Sequence, residues 1–187
     1  ARCDVPSLEY SYEFDAQLQQ EWNWSEKYST QPEILRYIEH VAQRFDLLRD
    51  ITFNVRVTAA VFDEAMSRWT VTTNSGKVIS CQFLVMATGC LSSPNIPKLP
   101  REEVFNGKVY HTGQWPTDGV DFTGQRVAVI GTGSSGVQSI PIIARQAQHL
   151  TVLQRTAAYC VPARNAPLDT SYVQSVKDNY KEFRRKN

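Results

Sequence analysis

Apolar residues recur along the chain with two different periods, which together predict a mixture of helices and strands. Residues 30–46 carry apolar positions at spacings of four, three and four, as one face of an amphipathic helix requires. Thr30 and Glu33 at the start of this stretch have the spacing of a capping box, which favours a helix that begins there. Residues 170–187 show a similar spacing of Tyr, Val and Phe and are predicted to form a second helix.

The stretch between these helices carries strand patterns. Residues 51–57 alternate between apolar and polar side chains, which predicts a half-buried strand. Residues 68–73 and 77–81 flank an Asn-Ser-Gly turn and predict a β-hairpin. Two uninterrupted apolar runs, 83–87 and 125–130, predict strands that are buried on both faces.

Two regions lack a regular period. Residues 90–104 contain three prolines and predict a linker. Residues 10–28 hold six aromatic side chains within a polar stretch, and so many aromatics need a surface against which to pack. We expect chain outside this sequence to supply that surface, which would make the sequence an internal piece of a longer protein.

Composition argues against several classes of protein. The chain has 187 residues and a net charge of +1, which disfavours a nucleic-acid partner held by bulk electrostatics. No window reaches the ~18 apolar residues of a membrane span, so no membrane partner is expected, and no signal-peptide pattern is visible. The four cysteines are scattered, without a C-x-x-C pair or zinc spacing, which predicts no metal site and a reduced, cytoplasmic protein.

A glycine motif follows the second apolar run directly. Gly131, Gly133 and Gly136 form the pattern G-x-G-x-x-G, and a helical stretch to about residue 148 and a strand at 150–153 come next. The order strand, glycine motif and helix is the context of a dinucleotide-binding fingerprint. Its glycines let the backbone turn tightly and approach a pyrophosphate at the helix N-terminus. The alternative is a glycine-rich turn that binds no ligand.

The residues that close the next strand bear on the choice of cofactor. An acid at this place binds the ribose 2′-hydroxyl of NAD, whereas an arginine accommodates the 2′-phosphate of NADP. The sequence has Gln154, Arg155 and Thr156 here and no acid. Arg155 can pair with a phosphate through two hydrogen bonds and Thr156 can add a hydroxyl, so the pattern favours NADP. A solvated arginine at a strand end is the alternative.

A second motif precedes the glycine motif. It comprises Phe105, Gly107, His111, Trp115 and Pro116, in the pattern F-x-G-x-x-x-H-x-x-x-W-P. No metal site or catalytic triad requires this spacing. From the residues alone, the segment is a linker loop held by aromatic side chains, with a structural histidine.

The two motifs in this order resemble the signature of Baeyer–Villiger monooxygenases, specifically the phenylacetone and cyclohexanone monooxygenase branch. Other segments with the same resemblance are 2–4, 20–28, 31–37, 87–89, 154–156 and 161–167. The resemblance implies an α/β fold with two dinucleotide-binding (Rossmann-like) domains, one for FAD and one for NADPH. Both domains would be incomplete in this chain, which would also carry a small β-hairpin insertion.

The resemblance also implies a division of the chain. Residues 1–89 would be the later part of the FAD-binding domain, residues 90–119 a linker that carries the signature motif, and residues 120–187 the N-terminal part of the NADP-binding domain. The first FAD motif of the family and its catalytic arginine would lie outside this chain. We therefore expect the 187 residues alone to be inactive.

The implied activity is a Baeyer–Villiger oxidation that depends on FAD and NADPH. One oxygen atom of O2 enters next to a ketone carbonyl, through a peroxyflavin, and gives an ester or lactone. By resemblance, Asp4 matches an active-site acid that orients an arginine, and His111 matches a residue that couples movement of the NADPH domain to catalysis. The residues expected to contact cofactor phosphates by resemblance are Thr132, Ser134, Ser135, Arg155 and Thr156.

Some assignments stay open on the sequence alone. Cys90 falls at a variable position that lines the substrate pocket in the family, or is a small buried apolar residue. A flavin monooxygenase that oxidises nitrogen or sulfur would share the layout, although its signature lacks the Trp-Pro pair. A non-catalytic NADP-binding sensor module is the alternative from another class.

Overall fold

The computed structural model describes residues 1–186, which divide into two compact units. The first unit combines Ala1–Phe45 with the chain from Pro116 onward, and the second unit is Asp46–Trp115. These boundaries differ from the predicted divisions after residues 89 and 119, because the N-terminal residues share a hydrophobic core with the C-terminal helices. The assignment of the predicted segments to FAD and NADP binding stays a prediction.

The first unit is mainly helical. Its helices in chain order are α1 (Ser7–Tyr10), α2 (Ala16–Glu21), α3 (Gln31–Arg44), α4 (Ser134–Gln146), α5 (Thr170–Asp178) and α6 (Tyr180–Lys186). The predicted helix over 30–46 is confirmed as α3. The single helix predicted over 170–187 is wrong, because Asn179 between α5 and α6 adopts φ −142° and ψ 45°, outside the helical range.

The predicted capping box at the start of α3 is wrong as well. Thr30 is the N-cap residue, but its side chain makes no cap hydrogen bond. Glu33 is buried, and its carboxylate accepts hydrogen bonds from the amide of Ser25 at 2.8 Å and from the hydroxyl of Ser25 at 2.7 Å. The preceding loop therefore engages the acid that the local spacing assigns to the helix cap.

The core of the first unit packs α3 against the C-terminal helices and the N-terminal segment. Its buried members are Leu8, Leu18, Trp24, Tyr37, Val41, Val176 and Tyr180. Tyr37 is 1% exposed whereas Ile38 is 42% exposed, so the buried stripe of α3 contains Tyr37 where the spacing predicts Ile38. Trp24 thus packs on helices of this chain, so the expectation that outside chain supplies its packing surface is wrong, whereas Phe14 stays 63% exposed.

The same unit contains a two-stranded parallel sheet. The strands β4 (Arg126–Ile130) and β5 (His149–Leu153) are connected through α4, and Ile130 pairs with Leu153. Both predicted strands are confirmed, but the side chains of β4 alternate between half-buried and exposed, so burial on both faces is wrong. Because the pairing is parallel, both strands end at the same edge of the sheet.

The second unit is built on an antiparallel sheet in the order β1–β2–β3. The strands are β1 (Val57–Asp63), β2 (Arg68–Thr73) and β3 (Val78–Cys81). The predicted hairpin of β2 and β3 is confirmed. The strand predicted over 51–57 is wrong, because the pairing of Asp63 with Arg68 sets β1 further along the chain.

The apolar run over 83–87 does not form the predicted strand. Phe83, Val85 and Met86 are 80%, 86% and 78% exposed. A strand that is buried on both faces needs neighbours on both sides, and residues 1–186 provide none for this run. Residues 90–104 are irregular apart from a single 3₁₀ turn at Glu102–Val104, as their proline content predicts, but they lie inside the second unit, so a role as a linker between domains stays a prediction. Within the described residues, no helix combines the length and apolar character needed to cross a membrane.

Candidate functional site

The glycine motif forms the turn between β4 and α4. Gly131 has φ +101°, a left-handed value that favours glycine because a side chain would be strained there. Its amide donates a hydrogen bond to the carbonyl of Leu153 at 2.9 Å. The turn is therefore anchored to the end of β5 before it enters the helix.

The other two glycines serve different purposes. A Cβ added at Gly136 would lie 2.4 Å from the carbonyl oxygen of Gly131, so the close approach of α4 to the turn requires glycine. A Cβ added at Gly133 would meet no atom within 4 Å. The space beside Gly133 is thus open to a ligand, as expected for the glycine that lets a pyrophosphate approach the backbone.

The N-terminus of α4 faces this open space without a protein cap. Gly133 is the N-cap residue and no side chain caps the helix. The first amides of any α-helix lack partners within the helix, and the helix dipole adds partial positive charge at the same end. Ser134 and Ser135 stand in this first turn. The arrangement can bind an anionic group.

The segment after β5 lies at the same edge of the sheet. Gln154 follows the strand directly, and its Nε2 donates a hydrogen bond to Oγ1 of Thr132 at 2.6 Å. Arg155 and Thr156 are exposed, and Arg155 makes no hydrogen bond or ion pair within residues 1–186. The structure thus brings the glycine turn and the Arg155 segment together and leaves the guanidinium available for a phosphate.

Asp4 belongs to an N-terminal segment that is held against α4. The amide of Arg2 donates to Oε1 of Gln138 at 2.8 Å, and Nε2 of Gln138 donates back to the carbonyl of Arg2 at 3.4 Å. Asp4 itself is exposed, and its carboxylate has no hydrogen-bond partner within the described residues. Asp4 therefore pairs with no arginine of residues 1–186 in this structure, and the arginine that the resemblance implies stays a prediction.

The same segment is tied to a second loop by a charged network. The guanidinium of Arg2 forms an ion pair with Glu26 at 2.8 Å and donates to the carbonyl of Tyr28 at 2.9 Å. Asn165 also donates to Glu26 and accepts from the amide of Tyr28 at 2.8 Å. The hydrogen bond from Arg2 lowers the pKa of Glu26 below its usual 4.5, and the Asn165 amide adds to this effect.

The signature segment lies mostly in the second unit, which ends at Trp115, while Pro116 begins the return to the first unit. A Cβ at Gly107 would lie 2.5 Å from the ring of Phe105, so the ring covers the glycine and accounts for the F-x-G spacing. The rings of Tyr110 and Trp115 are 6.0 Å apart. Aromatic contacts thus hold the loop on both sides of His111.

His111 begins a 3₁₀ turn over Thr112–Gln114. Its Nδ1 accepts a hydrogen bond from the amide of Gly113 at 3.1 Å, and its carbonyl accepts from the amide of Gln114 at 2.8 Å. Because Nδ1 accepts, a neutral imidazole here carries its hydrogen on Nε2 and can donate from that atom. The geometry suits a residue that orders a loop.

The remaining features of this region are the cysteines, the metal-binding side chains and two amide side chains. Cys90 is exposed, which contradicts the reading as a small buried residue, and all four cysteines are free. Within residues 1–186, no group of three or more His, Cys, Asp or Glu side chains is placed to hold a metal ion. Sequence reasoning missed Gln138 and Asn165, because neutral amides have no characteristic spacing and their contacts span 136 and 139 residues.

Comparison with known proteins gives consistent matches. Residues 12–182 match the family described as pyridine nucleotide-disulphide oxidoreductase. Phenazine N-monooxygenase of Lysobacter antibioticus is 42% identical over 98% of this chain and 34% of its own length. Cyclohexanone 1,2-monooxygenase of Acinetobacter sp. is 43% identical over 96% of this chain and 33% of its own length. The chain therefore spans about a third of the length of these curated relatives.

Solved structures give the same result. An oxidised steroid monooxygenase bound to NADP superimposes with a TM-score of 0.92 and 60% identity, over 99% of this chain and 35% of the other. A closed form of cyclohexanone monooxygenase superimposes with a TM-score of 0.90 and 41% identity, over 100% of this chain and 35% of the other. These matches confirm the predicted α/β dinucleotide-binding fold class.

Proposed function

The chain belongs to the pyridine nucleotide-disulphide oxidoreductase family, and we propose that the intact protein is an FAD- and NADPH-dependent Baeyer–Villiger monooxygenase. In this reaction a ketone, O2, NADPH and a proton give an ester or lactone, NADP⁺ and water. Relatives named cyclohexanone 1,2-monooxygenase and acetone monooxygenase (methyl acetate-forming) support the reaction type. The four free cysteines support a cytoplasmic location.

The use of NADPH is supported by one structural observation: the glycine turn and Arg155 share one edge of the sheet. The open space beside Gly133 and the uncapped N-terminus of α4 fit a pyrophosphate. Arg155, which has no protein partner within residues 1–186, fits the additional 2′-phosphate that distinguishes NADP from NAD.

The residues of this edge divide the work of binding. The first-turn amides of α4 and the hydroxyls of Thr132, Ser134 and Ser135 bind the pyrophosphate through hydrogen bonds. Arg155 pairs with the 2′-phosphate through two N–H groups, and Thr156 adds a hydroxyl. Because the 2′-phosphate is remote from the nicotinamide, this contact contributes binding and not chemistry.

When bound, FAD supplies the oxygen-transfer chemistry, and the protein supplies position and charge. Two further residues, Asp4 and His111, act outside the pyrophosphate site. Asp4 presents a carboxylate that orients an arginine of the intact protein, while the Arg2–Gln138 contact fixes the Asp4 segment on α4. His111 orders the signature loop through Nδ1 and keeps the Nε2 hydrogen available as a donor.

The experiment uses the intact protein, purified and examined for the visible absorption bands of bound flavin. NADPH oxidation and O2 uptake are then measured with a cyclic, a linear and an aryl ketone, and products are identified by mass spectrometry. We expect ketone-stimulated NADPH consumption with one ester or lactone formed per NADPH. A protein that binds NADP⁺ but contains no flavin and turns over no ketone would instead be a sensor module.

A second candidate activity is oxidation of a ring nitrogen. It is favoured by the 42% identity to a phenazine N-monooxygenase over nearly the whole chain. The same assay with phenazine in place of the ketone separates the two activities, because the product is then an N-oxide. Faster NADPH consumption with phenazine than with every ketone would make N-oxidation the principal activity.

A further inference from the structure

Gln154 connects the ends of the two parallel strands through one side-chain contact. Its Nε2 donates a hydrogen bond to Oγ1 of Thr132, the residue between the first two glycines of the turn, at 2.6 Å. The two residues are 22 positions apart in the sequence. The contact stands beside the anchor from the Gly131 amide to the Leu153 carbonyl.

This contact fixes what the Thr132 hydroxyl can do. A hydroxyl has one hydrogen to donate and two lone pairs that accept. The Gln154 amide occupies one lone pair, so the hydroxyl hydrogen of Thr132 must turn to another acceptor. Within residues 1–186 no protein acceptor is found for it. The hydrogen is therefore free to donate to a ligand at the turn.

A donor at this place matches the surrounding chemistry. Thr132 precedes the open Gly133 and the uncapped first turn of α4, where partial positive charge attracts an anion. A hydroxyl that already accepts a hydrogen bond is also a stronger donor, because chains of hydrogen bonds polarise one another.

We propose that Gln154 is a positioning residue that turns the Thr132 hydroxyl into a hydrogen-bond donor to the pyrophosphate of the nicotinamide cofactor. This inference rests on the proposed binding of NADP and assigns Gln154 a task separate from that of Arg155. Because NAD and NADP share the pyrophosphate, Gln154 supports both cofactors equally, whereas Arg155 discriminates between them.

A double-mutant cycle on the intact protein tests the inference through the dissociation constant of NADP⁺. Thr132→Val removes the donor and keeps the shape, and Gln154→Met removes the amide and keeps the length. We expect Thr132→Val to weaken NADP⁺ binding about tenfold and Gln154→Met about threefold, as for one hydrogen bond to a charged group. Because Gln154 acts through Thr132, the double variant should bind as Thr132→Val does.

Controls separate this role from a general effect on structure. Thr132→Ser should restore binding, since serine keeps the hydroxyl. Gln174→Met, at an exposed position of α5, should leave binding unchanged. Gln154→Met should weaken NAD⁺ and NADP⁺ binding by the same factor.

The possible results have distinct meanings. Independent effects of the two substitutions, about 30-fold when combined, would overturn the coupling of Gln154 to Thr132. A changed preference between NADP⁺ and NAD⁺ in Gln154→Met would place Gln154 at the 2′-phosphate and also overturn the inference. Failure of the wild-type protein to bind NADP⁺ would refute the proposed function, and this inference with it.

Discussion

The first unit contains a helical core and a strand edge, which is the edge of the sheet where β4 and β5 end. The two regions differ in how their polar side chains are paired. In the core, the Tyr180 hydroxyl donates to the Leu8 carbonyl at 2.6 Å and Trp24 donates to Ser11 at 2.9 Å. Even the buried Lys177 donates to the carbonyl of Gln20 at 2.6 Å and to Asn23 at 2.7 Å. At the strand edge, Arg155 has no such partner within residues 1–186.

The difference shows how one compact unit separates stability from binding. The polar groups of Tyr180, Trp24 and Lys177 are hydrogen-bonded within the chain, so loss of these contacts should lower the free energy of unfolding. The Arg155 guanidinium is left for a ligand, so its loss should lower affinity and leave the fold unchanged. Substitutions in the core should therefore change the free energy of unfolding, whereas substitutions at the strand edge should change the affinity for the ligand.

The largest expected effect is in the core. Tyr37→Ala removes a ring that is 1% exposed and should lower the free energy of unfolding by about 3–5 kcal/mol. The Tyr12 amide donates a hydrogen bond to the Tyr37 hydroxyl at 2.8 Å. Tyr37→Phe keeps the ring but removes this acceptor, which should lower the free energy of unfolding by about 1 kcal/mol. Urea unfolding followed by tryptophan fluorescence measures both. Equal effects of the two variants would mean that the ring contributes no packing energy.

Two glycines of the turn differ in the space around them and should therefore differ in their effect on stability. Gly136→Ala places a Cβ 2.4 Å from a backbone oxygen, so it should lower stability by about 1–3 kcal/mol and also weaken NADP⁺ binding. Gly133→Ala meets open space at φ −69°, so it should weaken NADP⁺ binding and lower stability by less than about 1 kcal/mol, through the poorer N-cap alone. Thermal unfolding and NADP⁺ titration of each variant distinguish the two. Unchanged NADP⁺ affinity in Gly133→Ala would show that no ligand approaches this glycine.

The smallest expected effect concerns the loop network that holds the Asp4 segment. The pKa of Glu26 is lowered in the folded state by Arg2, so the carboxylate stabilises the fold above about pH 4.5 and this contribution is lost as pH falls through the folded pKa. Glu26→Gln should lower stability at pH 7 by under about 1 kcal/mol and make no difference near pH 2.

The matching variant for this network is Arg2→Ala, which removes the first cause of the pKa shift. The difference in unfolding free energy between Arg2→Ala and wild type should shrink from pH 7 to pH 2, as it does for Glu26→Gln. Combining the two substitutions should add little, because both break one ion pair. A constant difference at all pH values would mean that Glu26 acts through packing and not through its charge.

Elements whose partners lie nearby in the chain could be predicted from the sequence. The α3 helix, the β2–β3 hairpin and the β4–α4–β5 unit each depend on local period, turn residues or a short crossover. The position of β1 and the state of 83–87 depend on which strands are available to pair with them, which the local pattern does not contain. The prediction that β4 is buried on both faces was wrong for a similar reason, since packing against other elements decides which face of β4 is exposed.

The candidate site divides in the same way. The glycine turn and Arg155 could be predicted, because close backbone approach and phosphate pairing require those residue types at those places. The contact of Gln138 with Arg2 joins residues 136 positions apart through a neutral amide, which no motif describes. The contact of Gln154 with Thr132 could not be predicted either, because the resemblance gave Gln154 no role.

If the glycine turn and Arg155 together bind NADP, the preference for NADP⁺ over NAD⁺ depends on Arg155. The dissociation constants of NADP⁺ and NAD⁺ are measured for the intact wild-type protein, for Arg155→Ala and for the control Arg145→Ala near the far end of α4. We predict that Arg155→Ala weakens NADP⁺ binding about ten- to hundredfold, leaves NAD⁺ binding unchanged and so removes the preference, while Arg145→Ala behaves as wild type. A preference for NADP⁺ that persists in Arg155→Ala would show that Arg155 does not bind the 2′-phosphate.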